Sequence, residues 1–362
     1  MKRVVYYISE YGFGHASRSI AIIRDLINLD PTIQIEVVHN YALDFLVKSL
    51  PFNNITFYRL GTDIGYFLKD QSIEPDKIKQ TEEVLSYSIE ILSLAQVEIN
   101  RLNSKKIDLI ISDISPIAFE VADKIGVPSI GISNFTWYTA FQGLVSERHL
   151  LFLKEAYGKM DYFFGLAGNN EIEWGRSKSY QIRFYSRNID QDEVERIRNG
   201  FNKDKQLVFL GLGMKMDLDN LKRLQIWNSY DTHFVVSSNL PITHPNVSHV
   251  PKEYIETQNY IAACDLVITK AGWGTIGEAI VGNTPLLIID RNNMKEDKNT
   301  ISFLTKYNLC NLITWDEFSQ LTINEGIVTR FRDKLSQSNY SISNETSRIS
   351  EKILEILVGS IV

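Results

Sequence analysis

Cysteine is scarce in this chain: Cys264 and Cys310 are the two in 362 residues, and both stand among apolar neighbours. They read as reduced, buried thiols of a cytosolic protein, and neither has the spacing of a metal ligand. Basic charge is also short. Lys and Arg number 38 against 44 Asp and Glu, a net charge of −6, which argues against stable binding to a nucleic-acid backbone. No apolar run reaches the roughly eighteen residues needed to span a bilayer. The tail Ile353–Val362 is interrupted and too short, so membrane contact is at most peripheral. The N-terminus runs straight into a strand without a signal-peptide cleavage pattern, and a cytoplasmic location is expected. There is no short-period repeat, no low-complexity tract and no Gly-x-x-x-x-Gly-Lys phosphate loop, which leaves kinase activity unsupported.

Apolar residues make up 44% of the chain and charged residues 23%, the balance of a globular protein long enough for two cores. From the start, strand, glycine-containing loop, helix and strand succeed one another: Val4 to Ser9, Ser9 to His15, Ala16 to Leu29, Ile33 to Val38. That is a βαβ unit, and it predicts a parallel sheet whose ligand crevice lies at the carboxyl ends of the strands. Further strands are expected at Ile55–Tyr58, Ile107–Asp113 and Pro128–Ile132, and helices at Tyr41–Ser49, Ile78–Leu102, Pro116–Ile125 and Leu144–Tyr157. Gly61–Asp76 and Asn134–Trp137 read as loops. Charged residues crowd 190–200, and the alternation restarts at Gln206 with strands expected at His233–Ser237, Leu266–Thr269 and Pro285–Ile289. The predicted organisation is α/β, two doubly wound Rossmann-like domains facing across a cleft: residues 1–190, a linker 191–205, a second domain 206–342 and a C-terminal helix 343–362.

The most informative stretch is Asp265 to Asp290. An apolar strand ends at Lys270, and Gly272, Gly274 and Gly277 open a helix. Glycine lets a ligand approach the backbone, and the first N–H groups of a helix lack internal partners and carry partial positive charge, so the junction suits a phosphate. Lys270 adds a cation, Thr275 a hydroxyl and Glu278, one turn on, a carboxylate suited to the two hydroxyls of a ribose. Phosphate and ribose together mean a nucleotide.

Lys270-Ala-Gly-Trp-Gly-Thr-Ile-Gly-Glu278 resembles the donor signature of nucleotide-sugar glycosyltransferases of the GT-B fold, with Lys270 in the place of the usual His. The resemblance implies that Gly272, Gly274 and Thr275 meet a diphosphate and that Glu278 meets the ribose. Pro285 fits the pattern, and Glu296 and Asn299 take the places that contact the sugar, with one extra residue in the spacing. Gly211 and Gly213, in the glycine loop after the strand at Gln206, are expected to border the diphosphate from the opposite side.

In the first loop, Gly12-Phe-Gly14-His15 falls where the N-terminal crevice should be. Attack by an alcohol needs a base, and histidine's ordinary pKa near 6.5 suits that task. Asp113, at the end of another strand of the same half, is placed to hold the other ring nitrogen. Gly-Phe-Gly-His resembles the first-loop motif of GT-B transferases, which implies a His15–Asp113 dyad, with Gly14 beside the donor. Glu10, Arg18, Phe135 and Trp137 are acceptor-side candidates. Gly-Phe-Gly-His-Ala-Ser-Arg18, Ser-Asp113-x-x-Pro116, Ser-Asn134-Phe-Thr-Trp137 and the Lys270–Glu278 signature together are similar to the glycosyltransferase-like N-terminal region of plant L-arabinokinases and stand-alone bacterial relatives. The two Asp-x-Asp triplets, Asp190-Gln-Asp192 and Asp217-Leu-Asp219, read as helix-start acids and not as a metal site. The expectation is therefore an inverting, metal-independent transferase without a resident cofactor, moving a sugar from a nucleoside diphosphate, UDP first among them, to a small-molecule or saccharide acceptor. A nucleotide-sugar 2-epimerase and a non-catalytic nucleotide-sugar binding protein are the alternatives.

Overall fold

The computed structural model describes residues 1–69, 74–212, 221–238, 240–291 and 294–359. They form two compact units, one of 1–67, 75–183 and 345–362, the other of 68–74 and 184–344.

In the first unit the described strands are β1 (Arg3–Ile8), β2 (Gln34–Val38), β3 (Ile55–Tyr58), β4 (Leu109–Asp113), β5 (Ser129–Ser133), β6 (Tyr162–Leu166) and β7 (Lys178–Ile182). They make one parallel sheet in the order β3-β2-β1-β4-β5-β6-β7. The helices α1 (Phe13–Leu29), α2 (Leu43–Ser49), α3 (Lys77–Leu102), α4 (Ile117–Ile125), α5 (Trp137–Ala140) and α6 (Glu147–Tyr157) connect them. Inner strands such as Leu109-Ile-Ile-Ser-Asp113 are buried along their whole length, as expected when helices cover both faces of a parallel sheet. Helix starts and stops follow local chemistry: Asp76 accepts from the N–H groups of Ile78 and Lys79 at 3.0 Å to begin α3, and Gly126 in left-handed conformation ends α4.

The second unit holds β8 (Gln206–Gly211), β9 (Thr232–Val236), β10 (Val247–His249), β11 (Leu266–Lys270), β12 (Leu286–Ile289) and β13 (Asn311–Ile313), again all parallel, in the order β10-β9-β8-β11-β12-β13. Its described helices are α7 (Gln191–Asn199), α8 (Thr257–Ala263), α9 (Trp273–Val281), α10 (Lys295–Lys306), α11 (Trp315–Gln320) and α12 (Glu325–Ser336). An apolar core built on Val208, Leu210, Phe234, Val236, Leu266 and Ile268 lies under this sheet.

Several expectations need correction. The boundary between units falls at Arg183/Phe184, ahead of residue 190. The stretch 191–205 is not a plain linker: it opens with α7, capped by Asp190 and burying Ile197, because a charge-rich composition suits an exposed helix face as well as a tether. The C-terminal helix Thr346–Leu357 belongs to the first unit and packs against α1. Strands β6, β7, β10 and β13 carried no clear pattern. A short helix, α5, starts at Trp137 where a loop was expected, through a capping box between Thr136 and Thr139.

Candidate active site

In each sheet the chain starts on a central strand, adds strands on one side, then crosses to the other. That reversal falls between β1 and β4 in the first unit and between β8 and β11 in the second. The crevice outside the carboxyl ends of the strands at such a point is where open α/β sheets bind ligands. His15 and Asp113 lie at the first of these places, and Gly211, Lys270, Gly272, Thr275 and Glu278 at the second.

In the first unit Ile8, the last residue of β1, is in register with Asp113, the last of β4. The chain then turns sharply at Ile114, whose φ of 69° is left-handed, a conformation that costs a β-branched residue of order 1–3 kcal/mol. The Tyr157 hydroxyl donates to the Ile114 carbonyl at 2.6 Å and holds the turn. It leaves Asp113 facing the first turn of α1. There His15 Nδ1 lies 2.9 Å from Asp113 Oδ1, with His15 7% and Asp113 1% exposed. Burial drives the Asp113 carboxyl up, but the Arg18 guanidinium and His15 outweigh it and hold it down at about 2. Burial is also the main reason that His15 lies below its ordinary value, with Asp113 opposing and Arg18 assisting.

Of the four acceptor-side candidates, Arg18, Trp137 and Glu10 are engaged within the fold, and Phe135 lies beside His15. Arg18 is buried beneath the pair, its Nε donating to Asp113 Oδ2 at 2.6 Å and its Nη1 to Asn134 Oδ1 at 2.8 Å. An arginine at helical spacing from His15 points inward here because a buried carboxylate awaits it. Trp137 is fully buried, stacked on Phe141 with its indole N–H donating to Asp63 at 2.7 Å; it is a core side chain and not a pocket wall. Phe135 lies edge-on to the His15 ring, with 6% of its surface exposed. The Glu10 carboxylate is engaged by the N–H groups of Asn40 (2.8 Å) and Tyr41 (2.7 Å), so it secures the turn after β2. Gly14 stands in the first turn of α1, and a Cβ there would meet nothing within 4 Å.

Asp63 was overlooked because Gly61–Asp76 shows no periodicity. Its carboxylate accepts from the Glu10 N–H at 2.9 Å and from the Trp137 indole, tying the first loop to α5. Although part of the residue reaches the surface, the carboxylate is desolvated, which pushes it up to about 7 against the opposing pull of those hydrogen bonds.

In the second unit the end of β11 lies beside the end of β8. Thr269 is in register with Gly211, and its hydroxyl donates to the Gly211 carbonyl at 2.7 Å. Lys270 closes β11, Gly272 caps α9, and the first helical bond runs from the Ile276 N–H to the Gly272 carbonyl. The N–H groups of Trp273, Gly274 and Thr275 thus precede the helical ladder, as an anion cradle requires. A Cβ on Gly272 would find only Lys270 Cε, at 3.8 Å, whereas one on Gly277 would come within 2.8 Å of the Tyr185 carbonyl. The first glycine keeps space open; the second lets α9 lie against the backbone. Glu278 is 6% exposed, and one oxygen accepts from Arg187 Nη2 at 2.7 Å. Glu296 and Asn299 lie on α10 after β12, at the same rim, Glu296 nearly buried and Asn299 partly exposed. Gly213 and the triplet Asp217–Asp219 lie outside the described residues. Among the described residues no cluster of three or more His, Cys, Asp or Glu side chains has metal-binding geometry, and no helix is long and apolar enough to cross a membrane.

Solved structures share this architecture along its length. A UGT2 from Phytolacca americana, complexed with UDP-2-fluoro-glucose and pterostilbene, superposes with a TM-score of 0.66 over 99% of this chain and 100% of its own, at 13% identity. The calicheamicin glycosyltransferase CalG4 gives 0.63 over 100% and 99%, at 12% identity. The fold is GT-B. A UDP-glucosyltransferase from Polygonum tinctorium capable of glucosylating indoxyl is a third GT-B neighbour, with a TM-score of 0.66, 99% and 98% coverage and 12% identity. Residues 219–354 of this GT-B chain match the glycosyltransferase family 28 C-terminal domain. The fold is thus one that glycosyltransferases have, and the matched C-terminal stretch is similar to a glycosyltransferase domain. It is also similar to an L-arabinokinase from Arabidopsis thaliana, 25% identical over 313 residues. That match takes in 82% of this chain but spans only 29% of the relative's length.

Proposed function

We propose that the chain transfers a sugar from a nucleoside-diphosphate sugar, with UDP-sugars the first candidates, to a hydroxyl of a small molecule or saccharide, with inversion and without a metal. The observation that supports this most is His15 Nδ1 on Asp113 at the strand-order reversal of a glycosyltransferase fold. With Nδ1 donating to the carboxylate, Nε2 carries the lone pair of a base. In the reaction, Nε2 takes the acceptor O–H proton as that oxygen bonds to the anomeric carbon from the face opposite the leaving group. The bond from the anomeric carbon to the phosphate oxygen breaks, and its electron pair leaves with the nucleoside diphosphate.

The charge that develops on the diphosphate has a stated receiver: Lys270, the Thr275 hydroxyl and the first N–H groups of α9. Fixed donors aimed at developing charge are usually the largest source of rate, and a cation on a helix N-terminus takes the part that a divalent metal has elsewhere. Glu278, oriented by Arg187, is the ribose contact in this reading, and Glu296 and Asn299 are the sugar contacts. The neighbours' complexes with UDP-2-fluoro-glucose and with small phenolic or aromatic molecules suggest where an acceptor search should start.

The test is incubation with radiolabelled UDP-, GDP-, dTDP- and ADP-sugars and a panel of acceptors, for wild type and His15→Ala. A new glycoside of inverted configuration, lost in His15→Ala, supports the proposal. An isomerised donor sugar would instead identify a 2-epimerase, and nucleotide binding without any conversion would identify a binding protein.

A further inference from the structure

Asp113 is saturated. An ionised carboxylate offers about four acceptor sites, and four donors meet it: Arg18 Nε at 2.6 Å and Ser19 Oγ at 3.3 Å on Oδ2, His15 Nδ1 at 2.9 Å and Arg18 Nη2 on Oδ1. Two of the four come from one planar guanidinium, the fork geometry that fixes a carboxylate in both position and rotation. Arg18 is 3% exposed, and its remaining reach goes to Asn134 Oδ1 at 2.8 Å and Ser133 Oγ at 3.5 Å. The pair is therefore a buried, charge-balanced unit before His15 is considered.

The tautomer of His15 follows. Arg18 Nη2 also lies 3.1 Å from His15 Nδ1, but a guanidinium only donates, and the two hydrogens on Nη2 have Asp113 and Ser133 as acceptors. Nδ1–H donates to Asp113, and the lone pair is on Nε2. In a His–Asp pair with no cation beside it, the carboxylate draws a proton onto the imidazole. Here the guanidinium has already answered that charge. The other titratable groups nearby do not change the balance. His39 has Nδ1 at 3.1 Å from the Ile8 carbonyl and accepts the Ala42 N–H on Nε2 at 2.8 Å, which fixes it as neutral. Glu10 is turned to His39 and to the Asn40 and Tyr41 N–H groups.

We propose that Arg18 is the positioning residue of this site: by forking both oxygens of Asp113 it keeps His15 an uncharged donor on Nδ1 and an available base on Nε2, instead of the cation of an ion pair. This rests on the reading of His15 as the base. It assigns the arginine of Gly-Phe-Gly-His-Ala-Ser-Arg18 to control of protonation, not to contact with an acceptor.

The deciding measurement is an NMR titration of the histidine rings in wild type, Arg18→Met and Arg18→Lys, without substrate. Wild-type His15 is expected to titrate below the ordinary value of about 6.5. Arg18→Met leaves Asp113 facing His15 alone and moves that titration upward by about one pH unit or more, and the acid limb of kcat/KM moves with it. Unchanged His39 signals report that the loop has kept its fold. An unmoved His15 titration in a folded Arg18→Met protein overturns the proposal. Should that variant not fold, Arg18→Lys decides: a lone ammonium cannot fork both oxygens of Asp113, so His15 is expected to titrate above the wild type, and a titration equal to that of the wild type overturns the proposal. Because the titration needs no turnover, a shift in His15 without sugar transfer by the wild type upholds the role of Arg18 and rejects the transferase reading. Transfer without a shift does the reverse.

Discussion

Arg187 Nη2 donates to Glu278 Oε1 at 2.7 Å, with the arginine 2% and the glutamate 6% exposed. The same guanidinium donates to the Ile255 carbonyl and, at 3.0 Å, to Thr257 Oγ1. One buried cation thus ties the start of the second unit, the start of α8 and the carboxylate of α9 into one arrangement. Removing one partner of a buried pair leaves the other charge uncompensated, which costs about 3–5 kcal/mol. Arg187→Met is expected to lower unfolding stability by an amount in that range. In a urea-denaturation double-mutant cycle with Glu278→Gln, the two losses should fall short of additivity by more than about 1 kcal/mol. Additive losses would mean that the pair has no energetic coupling.

Two glycines of the same helix should respond to alanine in opposite ways. At Gly277 the new Cβ would come within 2.8 Å of the Tyr185 carbonyl, a backbone atom that cannot swing aside. Gly277→Ala is expected to destabilise the protein by about 1–3 kcal/mol. At Gly272 the new Cβ has open space, and φ is an ordinary −72°. Gly272→Ala should cost the fold about 1 kcal/mol at most, as a change of N-cap residue, yet place a methyl group in the anion cradle. Thermal unfolding with and without UDP separates the two: at a hundredfold excess over Kd the nucleotide adds about 2.7 kcal/mol to the wild type. Gly272→Ala should lose that increment. If it binds UDP as the wild type does, the cradle is not at Gly272.

Asp63 makes stability depend on pH in an unusual direction for a carboxylate. Its folded pKa, about 7, lies above the ordinary 3.8 because its carboxylate is desolvated. A group raised in the folded state contributes stability that is fully present below the unfolded pKa and is lost as pH rises through the folded one. Its contribution should therefore decline between about pH 4 and pH 7. Asp63→Asn cannot ionise, so it should remove this decline. Its single amide oxygen can accept from only one of the Glu10 and Trp137 N–H groups, which meet different carboxylate oxygens, so it should be less stable than the wild type at pH 4. Denaturation midpoints of the two proteins across that window are the check, and parallel curves would show that Asp63 does not titrate there.

How much of this was legible in the sequence depended on the range of the signal. Asp113 and Lys270 end apolar runs and His15 opens a helix, so period and punctuation alone brought them to the carboxyl rims. The apolar strands near the two reversal points were legible for the same reason. β7, Lys-Ser-Tyr-Gln-Ile, was not: it is an edge strand with most positions outside the core, and its pattern is that of a loop. The partners of Arg187 and Asp63 lie 91 and 74 residues away, and no local pattern records a contact at that distance. Arg18 was visible as a residue but not as a role. Burial beside Asp113 is decided by how α1 packs on β1 and β4, and helical spacing alone could not say whether the side chain faces the acceptor or the core.

Lys270 offers the sharpest separation between a nucleotide site and a merely basic strand end. It replaces a histidine of the signature it resembles, closes β11 and lies two residues ahead of the glycine that caps α9. An ammonium is charged across the working pH range and donates as a compact point charge, so its partner in this reading is the diphosphate and neither the base nor the ribose. A hydrogen bond to a charged group is worth about 1.5–3 kcal/mol, or about ten- to a hundredfold in affinity. Lys270→Met is therefore expected to weaken UDP by a factor in that range, to weaken UMP less, and to leave uridine unchanged. Calorimetric titration with the three ligands reads the gradient directly. Equal losses for all three would place Lys270 in the structure of the pocket and take it away from the phosphates. A gradient that grows with each phosphate would put the leaving group at the N-terminus of α9, where the developing charge of the transfer has to be received.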